Sequence, residues 1–334
     1  MSKLVSVIIP CYNGEDFIDD SIRSVWEQEY PYVELVVVND GSKDNTEKKI
    51  MAWQQRFIDK NWKLIYLFQE NQGPGSATNL ALKYVTGEYL TLLDADDVFL
   101  PGSISKRVSF LESNLDYDGV RSNGVVVKGE NRWLFITEEK EKKLTDLFSA
   151  FCDGKTNNWA GSYMVRTSVL FSAYPDRNID PSRFGQNFQI LLPVCYKRKF
   201  GFIDEPLMEY RVQPNSHSQA SDPLVSYQKN MVNTRGWRDI FHGIVRWLVQ
   251  DDIERDGFIR RYDALFHRGA MTRAIEAGMK QDAREHYILL KQTGYLTLGD
   301  RILYGEMVCP SLALPLRFLR RVYNKFKRMM YSAV

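Results

Sequence analysis

"LLDADDVFLP", residues 92–101, sets three aspartates within four positions at the end of an apolar run. Tyr89, Leu90, Leu92 and Leu93 read as a buried strand, and Asp94, Asp96 and Asp97 follow at its end. Neighbouring carboxylates repel one another, and burying them unpaired is costly. Either the turn is solvated, or a counter-charge makes the cluster tolerable. Closely spaced carboxylates at a strand end suit a hard divalent cation, Mn2+ or Mg2+, and such a cation bridges a diphosphate.

The sequence before this cluster alternates strand and helix signals. "LVSVIIP" (4–10) is a continuous apolar run, as expected of a parallel strand covered on both faces. Residues 15–28 place Phe17, Ile18, Ile22, Val25 and Trp26 on one side of a helix. "VELVVVND" (33–40) is a second strand, and "GSKDNTEKKIMAWQQRFI" (41–58) turns and becomes helical. "WKLIYLFQ" (62–69) is a third strand, and "GPGSATNLALKYV" (73–85) is a glycine turn running into a helix. Such alternation implies an α/β, doubly wound sheet whose ligands bind at the carboxyl ends of the strands. There the sequence sets Pro10-Cys11-Tyr12-Asn13, Asn39-Asp40-Gly41-Ser42 and the aspartate cluster, three polar loops that would make one site.

Further along, "GVRSNGVVVKG" (119–129) and "RWLFITEE" (132–139) read as a strand pair, and "SYMVRTSVLF" (162–171) as an apolar run. "FGQNFQILLPVCYK" (184–197) reads as a helix and "FIDEPLMEYRV" (202–212) as a late strand. From residue 224 the texture changes to three helices, at 224–250, 258–278 and 281–294, with a basic helix after Pro310 and Pro315. These readings divide the chain into 1–220, a helical region 221–310, and a basic amphipathic segment 311–334.

The chain has 334 residues, 44% hydrophobic and 26% charged, with a net charge of +2. That balance is ordinary for a soluble protein and gives no bias toward nucleic acid as a partner. Residues 311–334 hold six basic side chains and no acidic ones, which leaves the rest net acidic. Cys11, Cys152, Cys195 and Cys309 are far apart, which argues against a zinc site or a disulfide framework and suits a reducing cytoplasm. The first apolar run is short and broken by Pro10 and Asn13, so a strand is expected there and not a signal peptide. No window reaches the length of a membrane span.

Two further motifs bear on chemistry. Asn39 and Asp40 end a strand, with Gly41 for a tight turn and Ser42 as an N-cap. Turn chemistry alone accounts for them, and an Asn or Asp there can also accept the imide N–H of a uracil ring. "NQGPGSATN" (71–79) has glycines that let backbone approach a phosphate at a helix N-terminus, or that simply open a helix. It is neither a Walker A nor a GxGxxG sequence.

In this order and spacing, "VSVIIPCYNGEDFIDDSIRSVWEQEYPYVELVVVNDGSKDNT", "NQGPGSATNLAL" and "TGEYLTLLDADDVFLPGSI" closely resemble family 2 glycosyltransferases. The resemblance is strongest over the first 100 residues, continues to about residue 220, and does not cover the C-terminal helices. It implies a GT-A type mixed sheet with a Rossmann-like nucleotide-binding half, a nucleotide-sugar donor (most often a UDP-sugar), and Mn2+ or Mg2+. Pro10, Tyr12 and Asn13 would border the nucleoside. Asn39, where the family often has Asp, would face the base, with Asp40, Gly73 and Asn79 also at the donor. Asp94 would contact ribose or metal beside Ala95, and Asp96 would ligate the metal with Asp97 nearby. Transfer would invert the anomeric carbon in one displacement. The leaving nucleoside diphosphate needs charge stabilisation, and the acceptor hydroxyl needs a base within hydrogen-bond reach.

The chain departs from that pattern twice. Thr78 stands where the family usually has an arginine that assists the diphosphate, so Lys83 and Arg211 become candidates for the missing charge. The family's base is typically an Asp in a Gly-Glu-Asp-like phrase, and here Gly185 is followed by Gln186 and Asn187, amides that cannot take a proton. Asp180, or else Asp204 or Glu205, could serve instead. His217 in "YRVQPNSHSQ" could reach metal or phosphate, and Arg211 could reach phosphate. Trp159 could stack on an acceptor sugar or sit in the core, with Gln186 and Asn187 beside the acceptor.

The tail carries Phe318, Leu319, Val322, Phe326, Met329 and Met330 among basic residues, a pattern for a helix lying on an anionic leaflet or packed on the protein. The expected activity is therefore hexosyl or N-acetylhexosaminyl transfer to a glycan or lipid-linked glycan, in surface or capsular polysaccharide synthesis. It would take place in the cytoplasm or at the inner face of a bacterial membrane. A second copy of the chain, in a homodimer, is a candidate partner. The competing classes are a non-catalytic nucleotide-sugar binding or scaffold protein, supported by the amides at 186–187, and a nucleotidyltransferase. The latter's glycine- and lysine-rich loop is missing from "PCYNGEDF".

Overall fold

In β1 (Val5–Cys11) every residue but Pro10 is buried, as its unbroken apolar run requires of a strand covered on both faces. The computed structural model describes residues 3–157, 159–213, 223–312 and 314–322. Through the first half the order is β1, α1 (Ile18–Trp26), β2 (Val33–Asp40), α2 (Thr46–Met51), α3 (Gln54–Asp59), β3 (Lys63–Gln69), α4 (Pro74–Leu82), β4 (Tyr89–Leu92) and β5 (Val98–Phe99). Then follow α5 (Ser103–Ser113), β6 (Tyr117–Lys128), β7 (Asn131–Leu134), α6 (Glu139–Lys142), α7 (Leu147–Cys152), β8 (Tyr163–Arg166), α8 (Thr167–Ala173), α9 (Gln186–Cys195) and β9 (Lys199–Arg211).

The strands form one mixed sheet in the order β3-β2-β1-β4-β8-β6-β9-β5, with β7 paired to β6. β3, β2, β1 and β4 run parallel, so their carboxyl ends share one edge. β8 is antiparallel to both β4 and β6. Ile18, Ile22 and Val25 of α1 join Val5, Val7, Ile9, Leu35 and Val37 in the main core, together with Ile50, Trp53 and Phe57. Glu34, 1% exposed in the middle of β2, is tolerated because Ser6 Oγ, Thr86 N, Thr86 Oγ1 and Gly87 N all donate to its carboxylate. That knot ties two parallel strands to the turn before β4.

Two compact units result: residues 1–151 with 155–216, and residues 152–154 with 217–334. The second contains α10 (Pro223–Leu248), α11 (Asp252–Glu276), α12 (Lys280–Gln292) and α13 (Leu298–Val308). Phe241 and Tyr262 stack in its interior at 4.0 Å. Asp263 receives Arg238 and His242, and the Nδ1 atoms of the buried His267 and His286 lie 2.9 Å apart.

The sequence pattern and the structure differ in several places: the strand read over 132–139 ends at Leu134, and α6 begins at Glu139. Residues 41–58 form two short helices, α2 and α3, rather than one. α13 is an extra helix, opened by a capping box between Thr297 and Asp300.

Candidate active site

Four loops lie at the carboxyl edge of the parallel strands, and hydrogen bonds fasten the first three to one another. After β1, Asn13 takes a left-handed conformation (φ 49°). Its N–H donates to Ser42 Oγ at 2.9 Å, and Lys43 N–H donates to Asn13 Oδ1 at 3.0 Å. Gly14 N–H donates to Thr46 Oγ1 at 2.7 Å, so the first two loops close like a zip. Pro10 is partly covered in β1, whereas the Tyr12 ring is 46% exposed at the lip.

Asn39 and Asp40, ending β2, are 2% and 3% exposed. Asn39 Oδ1 accepts from Ser42 N–H at 2.9 Å, and its Nδ2 donates to Tyr66 Oη at 3.0 Å. Asp40 takes three donors: Gln69 Nε2, Gln72 N and Gly73 N, at 2.7, 2.9 and 2.8 Å. Its carboxylate thus holds the glycine loop.

The glycines themselves have a different reason from the one their spacing suggests. A β-carbon on Gly73 would lie 2.6 Å from Arg183 Cγ, and one on Gly75 would lie 1.9 Å from the Ser182 carbonyl oxygen. The bare backbone is therefore filled by the chain itself, a strap at 179–185 laid over the start of α4. Asn79 Oδ1 accepts Ile179 N–H at 2.9 Å, and the Gln189 side chain bonds both backbone groups of Asp180. Asn79 fastens the strap. Arg183 Nη2 donates to Asn71 Oδ1 at 2.7 Å.

At the end of β4, Asp97 Oδ1 accepts the Arg211 backbone N–H at 2.9 Å, while Asp97 Oδ2 is buried with no partner. Burial first, then the Asp96 charge, pushes Asp94 up to about 7. Burial raises Asp96 as well, and burial followed by Asp94 and Asp96 raises Asp97 well above the usual carboxylate range. Ala95 is 7% exposed between them. Tyr163 and Tyr210 are held above the usual phenol range, by burial and then by these aspartates, so both flank the cluster. Among the described residues no three acidic, histidine or cysteine side chains close into a metal cage. His217 lies outside the described residues. The donor set nonetheless fits a hard cation: crowded carboxylates, each disfavoured as an anion by its surroundings, and one buried oxygen without a partner. Asp94 and Asp96 would hold such a cation, with the rest of its shell left to ligand oxygens.

The base position is reached through Tyr163. Its hydroxyl donates to Asn187 Oδ1 at 2.8 Å, bringing the start of α9 to the acidic cluster, with Gln186 beside it. Asp180 is exposed on the strap, where its Oδ1 accepts Ser182 N–H at 2.8 Å. Asp204 and Glu205 are elsewhere. They pair with Lys142 and Lys106, six or seven residues along β9 from Arg211, a span of about 20 Å. Lys83 is also misplaced for a phosphate role. It caps the opposite end of α4 from Gly73, about 15 Å away. The Arg211 guanidinium is engaged by Asp20 at 2.9 Å and lies 3.7 Å from Glu209. Trp159 is half-buried and stacks on Phe135 at 4.1 Å, so one ring face is already covered by protein.

The sequence profile of Glycosyl transferase family 2 matches residues 6–186, more than half of the chain. The chain belongs to that family. An uncharacterised glycosyltransferase of Nostoc sp. is 30% identical over 224 residues, covering 65% of this chain and 67% of that protein. A glycosyltransferase of Bacillus subtilis named as putative in teichuronic acid biosynthesis, TuaG, is 37% identical over 108 residues, 32% of this chain and 42% of TuaG. An uncharacterised glycosyltransferase of Rickettsia prowazekii is 41% identical over 110 residues, 33% of this chain and only 32% of its own length. Staphylococcus aureus TarS residues 1–349, solved with UDP-GlcNAc, superposes with a TM-score of 0.62 at 18% identity, over 96% of this chain and 92% of that one. A mannosyltransferase of Pyrobaculum calidifontis, solved with GDP-Man and Mn2+, gives 0.57 at 16% identity, over 96% and 84%. The GT-A architecture expected from the sequence is borne out. Sequence reasoning missed Arg183, which reaches the glycine loop from 110 residues downstream on an irregular strap that carries no periodic signal.

Proposed function

We propose that this glycosyltransferase moves a sugar, with inversion, from a nucleotide-sugar donor to a glycan or lipid-linked glycan in surface-polysaccharide synthesis. UDP-hexose or UDP-N-acetylhexosamine is the favoured donor class. The observation that carries the reading is the acidic cluster at the end of β4, crowded and raised, at the same sheet edge as the fastened loops at Asn13, Asn39 and Gly73. TarS with UDP-GlcNAc and the mannosyltransferase with GDP-Man and Mn2+ share the fold, and TuaG's name points to the same kind of product.

In this reading Pro10, Tyr12, Asn13 and Asn39 border the nucleoside, and Asp40 and Asn79 act by holding the loop and strap. Mn2+ or Mg2+ on Asp94 and Asp96 would neutralise charge on the departing diphosphate. Asp97 fixes the end of β9 through Arg211 N–H and keeps the acidic turn rigid. Asn187, pinned by Tyr163, orients ligand oxygens and takes no proton. Asp180 is the carboxylate assigned to acceptor deprotonation. Trp159, with one face on Phe135, offers the other to an acceptor sugar.

No described helix is long and apolar enough to cross a membrane. Residues 314–322 are helical and expose Leu314, Phe318 and Leu319, while Arg317 and Arg320 lie near Glu306. We assign that face and the basic residues after it to an anionic leaflet, where a lipid-linked acceptor would be met.

The deciding experiment incubates the protein with a panel of UDP- and GDP-sugars and Mn2+, and measures nucleoside diphosphate release with and without candidate lipid-linked acceptors. Asp180→Asn should abolish turnover while donor binding persists. The amides at 186–187 favour a second reading, a donor-binding protein without turnover. Tight nucleotide binding with no transfer or hydrolysis across the panel would select it.

A further inference from the structure

Arg183 is an exposed cation with a built seat. Its stem fills the space left by Gly73, whose backbone (φ 97°) is in the region that favours glycine. Its Nη2 donates to Asn71 Oδ1 at 2.7 Å, and among the described residues no carboxylate pairs with it. Gly41 packs its α-carbon against Asn71: a β-carbon there would lie 2.6 Å from Asn71 N. Asn71 and Arg183 therefore stand where the loops after β2 and β3 meet, at the far edge of the parallel strands from Asp94.

The hydrogen-bond polarity of this corner is one-sided. Arg183 donates to Asn71 Oδ1, and Nδ2–H2 of Asn71 has no protein partner among the described residues. The remaining guanidinium N–H groups have no protein partner there either. Asn39 already has one bond at each end of its amide, Oδ1 accepting Ser42 N–H and Nδ2 donating to Tyr66. What the corner presents is donors.

We propose that Arg183, acting with Asn71, reads the nucleobase of the donor and selects a keto base over an amino base. Uracil O4 and guanine O6 are acceptors, where cytosine and adenine carry amino groups that are themselves donors. A donor placed against a donor leaves both unpaired, which is the strongest form of discrimination such a site has. This inference rests on the nucleotide-sugar reading and assigns its base specificity to one residue.

The test is calorimetric titration with UDP, GDP, CDP and ADP in Mn2+ buffer, for wild type, Arg183→Ala and Arg183→Lys. All four ligands share ribose and diphosphate, so differences among them report the base. Wild type should bind UDP or GDP on the order of tenfold or more tighter than CDP and ADP. In Arg183→Ala that ratio should fall to about threefold or less. Arg183→Lys keeps the charge and the donor-only character but not the planar fork, and should retain a ratio between those of wild type and Arg183→Ala. Equal wild-type affinity for all four, or an undiminished ratio in Arg183→Ala, overturns the base-reading role and leaves the donor assignment standing. An equal loss for every ligand in Arg183→Ala overturns it too, by moving the residue to the phosphates. If no nucleoside diphosphate binds wild type, the donor assignment itself fails and this inference with it.

Discussion

Replacing Gly75 by alanine tests whether the strap over α4 belongs to the site. The added methyl carbon would sit 1.9 Å from the Ser182 carbonyl oxygen and 3.1 Å from its carbon. A comfortable carbon–oxygen contact is about 3.3 Å, so the strap must retreat by about 1.4 Å. Ser182 lies between Asp180 and Arg183, so that retreat displaces the assigned base and draws Arg183 off Gly73 and Asn71. Overpacking of this kind costs about 1–3 kcal/mol, and replacing a helical glycine returns up to about 1 kcal/mol. The net loss of stability should be about 2 kcal/mol or less, a few degrees in Tm. Turnover should suffer far more, because a displacement of about 1 Å in a positioning element costs on the order of 100-fold. The assay is nucleoside diphosphate release, paired with hydrogen exchange over residues 179–185. Gly243→Ala and Gly257→Ala serve as comparators. A β-carbon at either site meets nothing within 4 Å, so each should gain about 0.5–1 kcal/mol and keep full turnover. A Gly75→Ala protein with wild-type turnover and unchanged exchange over the strap would refute the reasoning.

Asp96→Ala should abolish Mn2+-dependent UDP binding in calorimetry while melting no lower than wild type without metal, because burial already disfavours that carboxylate; retained Mn2+-dependent affinity would remove Asp96 from the metal site. The His267–His286 pair should make the helical unit acid-sensitive. Burial, then the neighbouring His286 charge, lowers His267 to about 4, and burial lowers His286. The unfolded chain therefore binds more protons, so the stabilisation is complete above about pH 6.5 and declines as pH falls toward 4. The raised carboxylates of Asp94 and Asp97 act with the opposite sign over part of that window, so the readout is the difference in urea midpoint between wild type and His286→Gln. The variant's profile should fall less steeply below pH 6.5, and parallel profiles would exclude the pair as the cause. Deleting residues 315–334 should release the protein from anionic vesicles in co-sedimentation, and a truncated form that still pellets would clear the tail of that role.

The parallel half of the sheet was legible because each signal there is local. "LVSVIIP" and "VELVVVND" are apolar enough to demand cover on both faces, and Gly-Pro at 73–74 announces a helix start whatever lies around it. α13 was missed although its signal was present, since Thr297 and Asp300 form a capping box before a weakly amphipathic run. The division of 41–58 into two helices had no comparable mark. Roles that depend on distant partners were the least legible. Lys83 and Asp204 have the right chemistry in the wrong place, at the far end of a helix and partway down a strand. Only the folded chain shows that Asp40, Gly73, Gly75 and Asn79 hold a loop and a strap.

That strap gives a physical account of why the two departures from the family pattern occur together. Thr78 sits on α4, and Gln186 and Asn187 open α9; the segment at 179–185 runs from one helix to the other. Ser182 and Arg183 occupy the space over Gly75 and Gly73, so the start of α4 has no room to admit a second bulky cation, and Thr78 is 0% exposed beneath it. The cation over this helix start is Arg183, whose guanidinium is turned to Asn71 in the loop after β3. The same crossing delivers Asn187 to Tyr163, whose buried hydroxyl needs an acceptor and whose neighbour Asp94 already crowds the site with negative charge. A carboxylate at 187 would add a further anion to a cluster in which Asp94, Asp96 and Asp97 are all raised, whereas an amide satisfies Tyr163 without that cost. Asn187→Asp should therefore raise the metal requirement of the fold before it restores any base: its Tm without divalent cation should fall, and Mn2+ should recover it by more than in wild type.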